Sequence, residues 1–363
     1  MFGNSFRSFF SRFFPTPIFL SMSSFGLDIS DESLKFVELL VTKHGIRVGR
    51  HGERKIPPGI IELGKIKDPK RMEEILISLR KEEGLKSVRI SLPEAQIYIF
   101  AFRLEKLGLK SVRESIELSL EEHIPILAQD TTFDYEILKE TEKYLELQVV
   151  AIPKDVIESY LSVFRHSLVL VRSFELEAQA ISRAVIKKDD PETYMIVDFG
   201  EKRTGISIIS HGLVMFSSTI DVGGVMLTNM IQKSFNISFE EAEQMKRQSG
   251  LQRNVANKEI FAVILNSVSI LRDEVAKHFL YWHTHKDEEG KNNPLIKKII
   301  LCGGDSNLIG LSEYFSASIK NQVGMANVWV NIVDMEKSVP DISFKQALSF
   351  AAAIGLALGN LHD

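Results

Sequence analysis

Cysteine is almost missing from this 363-residue chain, where Cys302 stands alone. One thiol excludes an intrachain disulfide and a cysteine-based zinc site, and the expected compartment is a reducing cytoplasm. Long apolar runs are missing too: no stretch reaches the ~20 residues that a membrane-spanning helix needs. A basic stripe is also absent. The 44 Lys and Arg are interspersed with 48 Asp and Glu for a formal charge of −4, so no nucleic acid is expected as principal partner. What the chain has is apolar residue, 44% of the total, enough at this length for two cores. A two-lobed globular protein is expected.

The N-terminal tail, residues 1 to 24, opens "MFGNSFRSFFSRFF". Phe2, Phe6, Phe9, Phe10, Phe13 and Phe14 share one side of a helical wheel, and Arg7 and Arg12 lie on the other. That is the pattern of a helix lying on a membrane surface or a partner. A poorly ordered tail or a misplaced start is the alternative. Pro15 and Pro17 interrupt the apolar stretch and argue against a signal peptide.

Two similar units stand 170 positions apart, at Asp28 and Asp198. "FGLDISDESLKFVEL" and "IVDFGEKRTGISII" are each an apolar strand ending in Asp, a short polar turn and a second strand. The first unit leads strands at 25 to 29, 34 to 41 and 45 to 50, and the second leads strands at 193 to 199, 204 to 210 and 213 to 220. Helices follow in both halves. After the first unit, Asp68 caps a helix with Pro69 at its first position. Strands are expected at 87 to 92 and 96 to 103, and the block from about 90 to 166, which closes with a helix, is expected to be a small α+β insert with its own strands. In the second half, helices are expected at "GGVMLTNMIQKSF", "SFEEAEQMKRQSG" and 255 to 283, a strand at "IKKIILCGG", a helix at 307 to 320 and a strand at "NVWVNI". Lobe I is expected at 25 to 188, lobe II at 189 to 343, and a closing helix at 344 to 363 returning to lobe I. The repeated order of elements is a structural duplication.

An Asp at a strand end projects a carboxylate and backbone N–H groups into one small space. Two such turns facing each other could hold phosphate through N–H and hydroxyl groups, with Asp28 and Asp198 on a divalent cation such as Mg, mostly through its waters. Singly, each is also ordinary turn chemistry. "ILCGGDSNLIGL" runs a strand into Gly303-Gly304 and starts a helix at Asp305 and Ser306. Glycines there let the backbone approach a ring or phosphate, and a helix start offers unpaired donors. "IDVGGVMLT" again sets a pair, Gly223 and Gly224, between strand and helix. His278, His283 and His285 read better as a surface cluster than as a metal site, with Tyr281 and Trp282 packing.

In this order the motifs resemble the actin-like ATPase superfamily, in the branch of the type IV pilus assembly PilM family and the division protein FtsA, over about residues 25 to 361. The resemblance implies an α/β actin-like ATPase fold, two duplicated α/β lobes around a nucleotide cleft, with the insert as an FtsA/PilM-type subdomain. It implies ATP and Mg as cofactors. Ser30 and Lys35 would belong to the first phosphate unit, Gly200 and Thr204 to the second. "ELEAQAISRA" resembles the first connecting helix, with Glu177 where the water-orienting acid stands. Glu243 and Lys246 would face ribose and base, Gly303, Gly304, Asp305 and Ser306 form the adenosine motif, and "SFAAAIGLAL" resembles the second connecting helix. Implied partners are the cytoplasmic N-terminal peptide of the membrane protein PilN and other inner-membrane pilus platform proteins. Self-association and peripheral membrane contact are further expectations, at a cytoplasmic location beside the inner membrane.

The first turn departs from the family pattern, because Ser30 is followed by Asp31 and Glu32. These would repel a triphosphate unless they point to solvent or to the metal. Lys202 and Arg203 in the second turn either contact phosphate or form a solvated hairpin tip. Other readings are an FtsA-like division protein forming membrane-tethered filaments, against which no amphipathic C-terminal tail is evident, an actin-fold kinase, and a secretion-system platform of the GspL type.

Overall fold

A computed structural model describes residues 24–42, 45–106, 111–252, 258–286, 290–332 and 340–359. The Phe-rich tail lies outside the described residues.

Lobe I is built on β1 (Phe25–Ile29), β2 (Ser33–Thr42) and β3 (Gly45–Lys55), consecutive antiparallel strands. The chain then forms a small hairpin, β4 (Ile61–Glu62) and β5 (Lys65–Ile66), and enters helix α1 (Pro69–Glu82). Asp68 caps α1 by accepting from the Arg71 N–H at 3.2 Å, and Met72, Leu76 and Leu79 form its buried face. β6 (Ser87–Leu92) returns parallel to β1, and β10 (Leu170–Leu176) lies parallel to β6. The sheet order is β10-β6-β1-β2-β3.

Lobe II repeats this plan. β11 (Thr193–Phe199), β12 (Thr204–Ser210) and β13 (Leu213–Ile220) are antiparallel, while β14 (Ile296–Cys302) and β15 (Val323–Met325) add in parallel. The order β13-β12-β11-β14-β15 is that of lobe I strand for strand. The hydrophobic centres of both sheets explain the apolar runs: Met195, Val197, Ile299 and Leu301 are fully buried, like Leu27, Val88 and Ile90 in lobe I.

Between β6 and β10 the chain leaves lobe I. β7 (Tyr98–Glu105), β8 (Thr131–Glu140) and β9 (Tyr144–Pro153) form a separate sheet of order β7-β9-β8, covered by helix α2 (Val112–His123) over its own apolar core. The insert is therefore narrower than the expected 90 to 166. β6 belongs to the lobe I sheet, and helix α3 (Lys154–His166) packs Val156, Tyr160, Val163 and Phe164 into the lobe I core.

The two lobes meet on a fourth core around helices α4 (Glu177–Val185), α9 (Phe344–Ala347) and α10 (Ala351–Gly359). Small residues set this contact. A Cβ on Gly355 would fall on the Ala180 carbonyl, and one on Gly26 of β1 on the Ala353 carbonyl. The Ala- and Gly-rich closing segment is thus selected for close approach of backbones. Lobe II is completed by helices α5 (Gly224–Phe235), α6 (Phe239–Ser249), α7 (Lys258–Thr284) and α8 (Leu311–Ile319). The expected strand at "NVWVNI" is instead a turn that drops Trp329, 1% exposed, into the inter-lobe core. The edge position of the sheet is taken earlier in the chain, by β15.

Candidate functional site

The β1–β2 and β11–β12 turns face each other across a cavity of about 650 Å³. Its lining includes Asp28, Ser30 and Lys35 from lobe I and Asp198 and Gly200 from lobe II, together with Glu177 at the start of α4. The register explains the placement: Asp28 pairs with Lys35 across β1 and β2, and Asp198 with Gly205 across β11 and β12. Both aspartates are the next-to-last residues of their strands and line the cleft.

The cavity floor is acidic. Asp28 is buried and accepts from the Ser91 hydroxyl at 2.9 Å. Burial raises its carboxyl pKa, and the Lys35 ammonium opposes the rise. Asp198 is pushed up to about 6 by burial and then by the charge of Asp28. Glu177 is held well above the usual carboxylate range by burial and by the charges of Asp28, Glu94 and Asp198. Cys302 is fully buried beneath them, its thiol directed at Asp198 Oδ1 at 3.7 Å.

Glu94 was not among the residues expected from sequence. It follows β6 in a short 3₁₀ turn and takes three hydrogen bonds, from the Ala178 N–H and Ser217 hydroxyl at 3.1 Å each and the Thr219 hydroxyl at 3.3 Å. Ala178 lies in a connecting helix and the two hydroxyls on β13, so this carboxylate joins lobe I to lobe II at the cavity floor. Burial pushes it up to about 7. The signal available in sequence was the same grammar as the two recognised units, a strand running into an acidic turn at "SLPEAQ".

At the other end, Gly303 and Gly304 line the cavity with Glu243, Lys246 and Asp305. Gly303 has φ 88° and lies so close to β11 that a Cβ would meet Asp198 Oδ1 at 2.5 Å. Lys246 is buried and donates to Asp305 at 2.7 Å and to the Gly224 carbonyl at 3.1 Å, with Glu243 at 2.8 Å. Burial raises Glu243, but hydrogen bonds from Lys246, Thr228 and Arg247 win and bring it to about 2. Burial is the larger influence on Asp305 and leaves its pKa raised despite Lys246.

The sequence model of the type IV pilus assembly protein PilM matches residues 26–361. The chain belongs to the PilM family. Among solved structures, the PilM-PilN type IV pilus biogenesis complex superposes with a TM-score of 0.77 at 20% identity, over 94% of this chain and 99% of the other. The fold is that of actin-like ATPases. MreB5 of Spiroplasma citri, bound to ADP, matches with a TM-score of 0.55 at 14% identity, over 92% of this chain and 95% of its own. The ethanolamine utilization protein EutJ of Carboxydothermus hydrogenoformans gives 0.55 at 17%, over 95% and 91%. In sequence, EutJ of Escherichia coli (strain K12) is 31% identical over 120 residues, which is 33% of this chain and 36% of that relative, so the match spans about a third of its length.

Against the PilM-family motifs, four expected residues sit behind the cavity wall. Thr204 is fully buried and its hydroxyl donates to the Val222 carbonyl at 2.6 Å. The Ser306 hydroxyl donates to the Cys302 carbonyl. Gly223 and Gly224 provide room, since a Cβ on the first would strike the Lys202 backbone and on the second the Asp305 carboxylate. The Ser30 hydroxyl is occupied within its own turn, accepting from the Ser33 N–H at 3.1 Å. Asp31 and Glu32 are recessed and paired with cations instead of pointing to solvent. Arg203 pairs with Asp31 and Lys202 with Glu32, and the Leu63 and Gly64 N–H groups donate to Asp31 at 3.0 and 2.9 Å. The histidines are engaged separately: His283 Nε2 accepts from the Ile296 N–H at 3.3 Å, and His285 stacks on Tyr281.

Proposed function

We propose that this PilM-family chain is a cytoplasmic nucleotide-binding scaffold of type IV pilus assembly, located at the inner membrane through the N-terminal cytoplasmic segment of PilN. The carrying observation is the convergence of Asp28 and Asp198, from corresponding turns of two duplicated lobes, on one cavity that also receives Gly303 and Gly304. At about 650 Å³ the cavity lies within the usual range for small-molecule sites.

The residues fit Mg and ATP. The acidic floor holds several carboxylates at raised pKa, and a divalent cation would relieve that charge, with Asp28 and Asp198 as its holders. Lys35, Gly200 and the backbone of the two turns would hold phosphates. Gly303, Gly304, Glu243, Lys246 and Asp305 would surround the nucleoside. Glu177 is the candidate for orienting water at a terminal phosphate. Burial and the charges of Asp28, Glu94 and Asp198 raise its pKa, so it would accept a proton more readily than a free carboxylate.

A PilN peptide would be recognised by main-chain pairing to a strand edge together with apolar pockets. The sheet order leaves β7 and β8 as edges of the insert, beside lobe I. No helix among the described residues is long and apolar enough to cross a membrane, consistent with a scaffold recruited by a membrane partner. The test is titration of the full chain with N-terminal cytoplasmic peptides of PilN proteins, with and without Mg-ATP. Saturable binding of both ligands is expected. Absence of binding to any such peptide would sink the pilus reading.

A further inference from the structure

The tips of the two phosphate turns are oppositely charged; two ion pairs cross from lobe to lobe between them, and a third joins the end of β3 to the second turn. Arg203 Nη2 reaches Asp31 Oδ2 at 3.1 Å, Lys202 Nζ meets Glu32 Oε1, and Lys55 Nζ reaches Glu201 Oε2 at 3.1 Å. The two carboxylates of the first turn are the recessed partners, 11% exposed for Asp31 and 17% for Glu32. Asp31 is fixed from behind by two main-chain N–H groups of lobe I. Arg203 has an alternative partner in its own lobe, Asp221 at 3.2 Å, and Lys202 is half exposed. Both cations can therefore leave the first turn without becoming isolated charges. All four side chains line the cavity.

We infer that Asp31 and Glu32 are built-in stand-ins for phosphate: they hold Lys202 and Arg203, and with them the two lobes, until a nucleoside polyphosphate enters and takes over the two cations. The inference rests on the nucleotide reading above and specifies its regulation. A polyphosphate placed beside Asp31 and Glu32 meets like charge unless the cations turn toward it. When they do, charge-assisted hydrogen bonds pass from carboxylate to phosphate, and the lobes are joined through the ligand instead of through the protein. A nucleoside lacking phosphate cannot make this exchange. The cross-lobe pairs thus act as a competitive gate on phosphate and are indifferent to the base and sugar.

Calorimetric titration of the full chain with ATP and, separately, with adenosine tests the exchange. Each pair is partly exposed, so removal of both carboxylate charges in D31N/E32Q should tighten ATP by about tenfold, and E32Q alone by about threefold. Adenosine affinity should stay within about twofold in both. K202Q/R203Q, which removes the phosphate partners and leaves the carboxylates uncovered, should weaken ATP by about tenfold with adenosine again unchanged. The exchange is overturned if D31N/E32Q and E32Q bind ATP no tighter than the wild type while adenosine binding is intact, or if K202Q/R203Q keeps full ATP affinity. Failure of ATP and adenosine to bind the wild type and every variant overturns the nucleotide reading itself.

Discussion

Glu94 offers a direct test of the cavity floor, because its charge should act against folding at neutral pH and its replacement by Gln should remove that cost. Burial raises its pKa from 4.5 to about 7 even though three donors favour the ionised form. Between those two values the folded chain keeps a proton that the unfolded chain has released, so stability falls as pH rises and the full cost stands above pH 7. At ~1.4 kcal/mol per unit, the cost is about 3 kcal/mol. Glu94→Gln keeps the shape and an acceptor oxygen for the Ala178 N–H and the Ser217 hydroxyl, which share Oε1, and the Thr219 hydroxyl at Oε2 can rotate to accept from the amide. Urea unfolding of wild type and variant in nucleotide-free, metal-free buffer should give nearly equal stabilities at about pH 4, with the variant ahead by about 3 kcal/mol at about pH 8. A gap that is constant across this range, or wider at acid pH, would refute a buried ionising carboxylate at this position. Removal of the Ser217 and Thr219 donors by Ser217→Ala and Thr219→Val should move the wild-type transition to still higher pH.

The remaining expectations concern the same cleft and its supports. Asp198→Ala should weaken Mg-ATP by about 10- to 100-fold in a titration, and an unchanged dissociation constant removes Asp198 from the site. Lys246→Met leaves the Asp305 and Glu243 carboxylates without their shared buried cation, so denaturant unfolding should show a loss of about 3–5 kcal/mol; a loss below about 1 kcal/mol contradicts the packing described here. Gly355→Val places side-chain atoms on the Ala180 backbone at the contact of the two connecting helices, at a cost of at least about 1–3 kcal/mol in the same assay. Without Mg, ATP binding should tighten as pH falls from 8 to 6, since Glu94 and Asp198, raised to about 7 and about 6, lose charge over that interval; affinity that falls with pH instead contradicts an acidic floor beneath the phosphates.

Sequence reasoning reached what local pattern encodes. The strands of both units, the capped helix after Asp68 and the glycine pairs are each set by neighbours within a few residues, and the order of motifs carried the fold. Long-range selection was invisible to it. Glu94 becomes part of the site through Ser217 and Thr219, which lie 123 and 125 positions away. "NVWVNI" alternates like a strand, yet Trp329 is worth more to the inter-lobe core than to a sheet whose edge is already taken. Thr204 and Ser306 have the chemistry of phosphate ligands, but each donates instead to a carbonyl of its own lobe, as a buried hydroxyl must find a partner wherever it is placed.

The acidic first turn shows why charge read along the chain misleads about charge in the fold. Asp31 and Glu32 look repulsive toward phosphate only while their neighbours are counted by sequence. Folding brings Lys202 and Arg203 opposite them, so the mouth of the cleft is balanced and the uncompensated acid lies deeper, at Asp28, Glu94, Glu177 and Asp198 with Lys35 against them. Such a gradient suits a ligand that is itself divided. On the proposed reading, phosphate would exchange into the balanced mouth, where cations are present to receive it, and a divalent cation would answer the floor. Either component alone meets half of a complementary field, so the metal–nucleotide pair should bind more strongly than the two parts taken separately.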